Sequence, residues 1–176
     1  MCERIFMKPF LNQVGGASNI ALTAVAMMLT VFVGMNAHRR SQMVEVAPDE
    51  ASDIVQTISS EQFNKAAKTV VIVVRSTCQF CTSSMPFYAK LADAAKASGM
   101  PSVQLIAVSY EDEPTIQSYF SHHGVAAPTV ISSQASVIAR AKTPMVLVVD
   151  NDGMVVEALL GQLTHSEESR ILRVLN

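Results

Sequence analysis

The chain has 176 residues, of which 49% are hydrophobic and 16% charged, and its formal net charge is −2. That balance excludes a disordered chain and supplies none of the concentrated positive charge that nucleic-acid binding requires. Three cysteines are too few for a miniprotein stapled by disulfides.

The apolar residues are unevenly distributed. No charged side chain occurs from Pro9 to Ala37, and Ile20 to Met35 is almost continuously apolar. The stretch from Ala17 onward is long enough for a helix to cross a bilayer core. It ends at Gly34-Met35-Asn36-Ala37, with a large Met where a cleavage site needs a small residue, so retention as an anchor is expected. Arg4 and Lys8 precede the stretch and Arg39 and Arg40 follow it, so flanking charge does not set the orientation. The short tail favours an N-inside anchor. The organisation expected is a tail over 1–16, a transmembrane anchor over 17–37, an exposed linker over 38–60 and a folded domain over 61–176. The linker assignment rests on Asp49, Glu50, Asp53, Pro48 and several serines, with a short edge strand at Val44 and Val46 as an option.

Within the domain, Glu61 to Lys68 reads as a short helix capped by Ser60. Thr69 to Val74 is a β-branched run without alternation, the pattern of a strand buried on both faces. Phe80, Met85, Phe87, Tyr88, Leu91 and Ala95 recur at three- and four-residue intervals and predict one amphipathic helix ending near Gly99. Val103 to Ser109 reads as a second buried strand. Pro114 to His123 reads as a helix with Pro in its first turn and Gly124 beyond its end. Met145 to Asp150 and Met154 to Leu160 flank Asn151-Asp152-Gly153, a hairpin signal that makes them antiparallel. Thr164 to Glu167 fits a capping box opening a final helix over Ser166 to Leu175. The order of these elements predicts an α/β fold, a mixed sheet covered by helices.

Cys78-Gln79-Phe80-Cys81 falls between the first buried strand and the long helix. Two intervening residues wound into a first helical turn bring both sulfurs to disulfide distance. Unsatisfied N–H groups at the helix start favour a thiolate on the first sulfur. Cys78 is then the exposed nucleophile and Cys81 the resolving thiol. A zinc site needs two further ligands; Cys2 lies beyond the apolar stretch, and His122 and His123 suit a solvent-exposed helix end. Phe80, between the cysteines, is the candidate surface contact, whereas Phe87, Tyr88 and Met85 are expected in the core.

The segment VVRSTCQFCTSSMPFYAKL resembles the active-site strand and helix of the thioredoxin superfamily, and within it the membrane-anchored TlpA/ResA-like thiol–disulfide oxidoreductases. Pro86, five residues after Cys81, stands where that superfamily carries a helix-kinking proline. Thr143-Pro144 before MVLVVD matches its cis-proline loop. The resemblance implies a thioredoxin-like fold, a cis Pro144 facing the cysteines and substrate contact at Thr143. It also implies exchange with protein clients in the reductive direction, with no cofactor beyond the redox-active Cys78–Cys81 disulfide. Such an enzyme needs an upstream membrane or periplasmic electron donor, and its domain lies on the extracytoplasmic side of the cell membrane. The chain departs from the pattern at Thr77, where a tryptophan is usual, and at Ile72, where thioredoxins bury an acid. Glu111, Asp112 and Glu113 are within reach of the site, but a solvated acidic loop is the favoured reading. Pro128 to Ser132 adds either a strand or a substrate-contacting loop. A peroxidase is disfavoured by the lack of a Thr-x-x-Cys arrangement. The rival outside enzymology is a copper-binding or scaffold module, in which Cys78 and Cys81 hold soft Cu(I).

Overall fold

Val70 to Val74 are all buried, because the strand that carries them lies at the centre of a sheet covered on both faces. The computed structural model describes residues 46–97 and 102–175, together with Val25, Met27 and Met28, which are helical. The chain divides into two units, Met1–Met43 and Val44–Asn176. The expected anchor over 17–37 lies, those three residues aside, outside the described residues. Among the described residues no helix is long and apolar enough to cross a membrane.

In the second unit the elements run α1 (Pro48–Gln56), α2 (Ser60–Phe63), β1 (Lys68–Val73), α3 (Gln79–Ser83), α4 (Met85–Ala97), β2 (Val103–Ser109), α5 (Glu113–His122), β3 (Thr129–Ser132), α6 (Ser136–Arg140), β4 (Met145–Asp150), β5 (Val155–Leu160) and α7 (His165–Leu175). The five strands form one sheet in the order β3-β2-β1-β4-β5. β2 runs parallel to β1 and β3, whereas β4 is antiparallel to β1 and β5. The mixed α/β sheet expected from the sequence is therefore present.

Side chains on successive strand residues point to opposite faces, and each face has its own core. Val70, Ile72 and Val74 pack with Leu105, Ala107, Val146 and Val148 against residues of α4, α5 and α7. Val71 and Val73 pack with Ile106, Val108, Leu147 and Val149 against residues of α1 and α6. Two covered faces explain why the strand sequences show no alternation.

Three local readings are corrected. Residues 48–56, expected as part of an exposed tether, form α1, which buries Ala51, Ile54 and Val55; Val46 is buried as well, outside any strand. The short helix α2 ends at Phe63, and its cap position is Ser59 rather than Ser60. The single long helix is two, parted at Ser84. Pro86 has no N–H to give to the carbonyl four residues earlier, so the ladder breaks there. Helix α6 was not anticipated. Pro128 to Ser132 resolves as β3, a short parallel edge strand.

The hairpin forms as read. Gly153 takes φ +82°, and Asp150 Oδ1 accepts from the amides of Asp152 (3.1 Å) and Met154 (2.8 Å). A register shift follows at Val148/Val149. The capping box also forms, with Thr164 N donating to Glu167 Oε2 at 2.7 Å and Glu167 N to Thr164 Oγ1 at 3.4 Å.

Candidate active site

The site stands at the carboxyl end of β1. The strand ends at Val73, Arg75 to Thr77 turn, and Cys78 is the cap residue of α3. The sulfur takes the part normally played by a capping oxygen: Cys81 N donates to Cys78 Sγ at 3.2 Å. Both cysteines are free thiols. Cys78 is partly exposed and Cys81 is fully buried within the first core.

Their protonation preferences diverge. Partial burial opposes a charge on Cys78, but hydrogen bonds from the Cys81 thiol, the Thr143 side chain and the amides of Cys81 and Phe80 outweigh it, and its pKa is lowered. Burial, reinforced by the neighbouring Cys78, pushes Cys81 up to about 12. One thiol is thus prepared as a thiolate and the other held as a proton-bearing reserve.

The Thr143–Pro144 peptide bond is cis. Thr143 interacts with both sulfurs, so the loop before β4 meets the cysteine pair. Gly161 N donates to Pro144 O at 2.7 Å, fastening that loop to the end of β5. Phe80 is 60% exposed, a surface side chain beside the sulfurs. Cys78, Cys81, Phe80, Thr143 and Pro144 are therefore gathered in one place. His122 and His123 are exposed at the end of α5. Phe87, Tyr88 and Met85 are core residues.

Three contacts at the site were missed or misjudged. Glu111 is not a solvated loop residue: Ser76 N donates to its Oε2 at 2.7 Å, and Ser76 Oγ to its Oε1 at 2.5 Å. Parallel pairing of β1 with β2 brings the two strand ends side by side, and that adjacency was the available signal. Asp112, its neighbour, is spent on capping α5 through Thr115 N at 2.8 Å. Arg75 donates to the carbonyls of Ala139 (2.5 Å) and Ala141 (3.4 Å). The turn before Cys78 is thus tied on one side to the β2–α5 loop and on the other to α6. Finally, the hydroxyls of Thr82 and Tyr119 lie 3.0 Å apart, joining α3 to α5.

An exposed sulfur at a helix start, a sealed partner one turn away and a cis-proline loop against both, all on this sheet, define the class: a thiol–disulfide oxidoreductase of the thioredoxin fold. A family model for Redoxin matches residues 41–175. The chain belongs to the Redoxin family. No curated protein matches it in sequence. Among solved structures it is similar to StoA from Bacillus subtilis, at 17% identity and TM-score 0.50, over 64% of this chain and 84% of that one. It is also similar to a secreted Mycobacterium tuberculosis disulfide oxidoreductase homologous to Escherichia coli DsbE, at 17% identity and TM-score 0.51, over 65% and 85%. A third is the thioredoxin domain of a thiol-disulfide oxidoreductase from Bacteroides vulgatus, at 15% identity and TM-score 0.51, over 68% and 86%. At such identities these likenesses are ones of fold.

Proposed function

We propose that the protein exchanges disulfides with protein clients outside the cytoplasm, in the reductive direction, tethered to the membrane by residues 17–37. The Cys78 thiolate attacks a client disulfide. One client sulfur leaves as a thiolate and is protonated, while the other stays bonded to Cys78. Cys81 then loses its proton and attacks Cys78, the client is released with both sulfurs reduced, and the pair is left as a disulfide. An electron donor at or beyond the membrane must reduce that disulfide for the next turn. Phe80 and the backbone at Thr143–Pro144 hold the client chain.

The carrying observation is the asymmetry of the two thiols: Cys78 accepts from Cys81 N at 3.2 Å and is partly exposed, while Cys81 is sealed in the core. The reductive direction draws support from what surrounds Cys78. Its thiolate is favoured by hydrogen bonds, and the nearest cation in sequence, Arg75, is committed to two carbonyls. A thiolate stabilised without a cation makes a weaker oxidant than one held by positive charge. The apolar run over 17–37 supports the tether.

The test is a full-length Cys81→Ser chain, recovered from fractionated cells. Adducts that vanish on reduction and need Cys78 are expected in the membrane fraction. No adducts would overturn client exchange; adducts in the soluble fraction alone would overturn the tether. A redox titration of the wild-type pair reads the direction, about 30 mV corresponding to 1.4 kcal/mol for two electrons.

A further inference from the structure

Tyr88 has a hydroxyl with no apparent purpose. The residue is 0% exposed, and its hydroxyl is the one buried side-chain polar atom among the described residues without a hydrogen-bond partner. Leaving such a group unpaired costs about 1–3 kcal/mol, so its retention calls for an explanation. Its ring packs within 6.2 Å of Phe87 and 6.1 Å of Phe120, measured between centroids. Phenylalanine would fill the same space without the penalty.

The surroundings indicate what it waits for. Tyr88 and Cys81 belong to the same buried cluster. β1 and the residue that follows it offer that cluster only Val70, Ile72 and Val74, so no acid on the strand assists the sulfur. Ser84, the neighbouring hydroxyl, is already donating to Phe80 O at 2.9 Å. Tyr119 is engaged with Thr82.

We propose that Tyr88 is the hydrogen-bond donor to the Cys81 thiolate, unpaired in the resting dithiol and paired when Cys81 is deprotonated to release the client. The inference rests on the exchange reading above. During that step the Cys81 proton leaves for the departing client sulfur, the Cys81–Cys78 bond forms, and the Cys78–client bond breaks. Tyr88 keeps its own proton throughout and shares it with the sulfur only while the charge lasts. Two protonation preferences agree. Cys81 is held up to about 12 chiefly by burial, which makes its deprotonation the costly event. Burial first, and then the charge on Cys81, raise the Tyr88 phenol against a smaller lowering influence of the Ser84 side chain, so it remains a donor.

Tyr88→Phe in the full-length chain, followed through single turnover with a disulfide-bonded peptide, separates the two steps. Expected is release of the peptide from Cys78 slowed about tenfold, the weight of one hydrogen bond to a charged group. Formation of the mixed disulfide should keep its rate, and the melting temperature should not fall. An unchanged release rate, or an equal fall in both steps, overturns the assignment. A wild-type chain that never forms the mixed disulfide would overturn the proposed function instead.

Discussion

Glu111 shows how much a single carboxylate fixes at this site. Its two oxygens hold the amide and hydroxyl of Ser76 at 2.7 and 2.5 Å, two residues before the nucleophile. Hydrogen bonds to a charged acceptor are the strong kind. Glu111→Ala should leave the Ser76 amide without its partner and lower stability by about 2 kcal/mol. A shifted denaturant midpoint at constant slope reads that loss, and peptide exchange should slow with it as the turn loosens. Cys78 and Cys81 were legible because two cysteines at that spacing carry chemistry of their own. Glu111 was not, because its role arises from the side-by-side ends of β1 and β2, a contact 35 residues apart in sequence. Tyr88 was read correctly as core, since its periodicity reports burial; periodicity says nothing of whether a buried hydroxyl finds a partner.

At the scale of elements, the strands were the most legible parts. Their short, β-branched runs suit a pleated, buried strand. The helices were less so. Ala51, Ile54, Val55 and Ile58 are spaced as one helical face and all are buried, yet the acidic and serine-rich residues among them read as a tether. Across Ser84 the apolar period continues although the helix does not, because side-chain burial persists through a break in the backbone ladder. Helix α6 spans only five residues, too short for a period to register. The β4–β5 hairpin was unambiguous, and it permits a direct check. Gly153 sits at φ +82°, and a Cβ there would meet Phe63 Cδ2 at an ordinary 3.6 Å. Gly153→Ala should therefore cost only the backbone term, about 1 kcal/mol, seen as a small fall in melting temperature with exchange rates unchanged.

The whole molecule couples its stability to the state of the buried thiol. In the fold Cys81 keeps its proton up to about 12, against an ordinary 9.0. Between those values the unfolded chain has lost a proton that the folded chain retains, so folding stability falls as pH rises through that window. Tyr88, also raised, acts in the same sense, so the contrast must be made between variants. Urea midpoints of the reduced protein should decline steeply from about pH 9 upward, and those of Cys81→Ser should decline less. Equal slopes would contradict the burial of that thiol as the cause. The two-layered core that seals it was foreseeable from the unalternating strands; the depth of the seal was not, since it depends on Tyr88 from α4 meeting Ile116 and Phe120 from α5.

The sheet has two margins, and neither is an inviting template. β3 offers four residues. Along β5 the pairing is broken by the shift at Val148/Val149, and Glu157 stands in that strand bound to Arg170. Short length, irregularity and charge are the means by which proteins discourage copies of themselves from adding on edge to edge. If Thr143 receives an extended client chain as proposed, the molecule is in this way guarded against polymerising through its own borders.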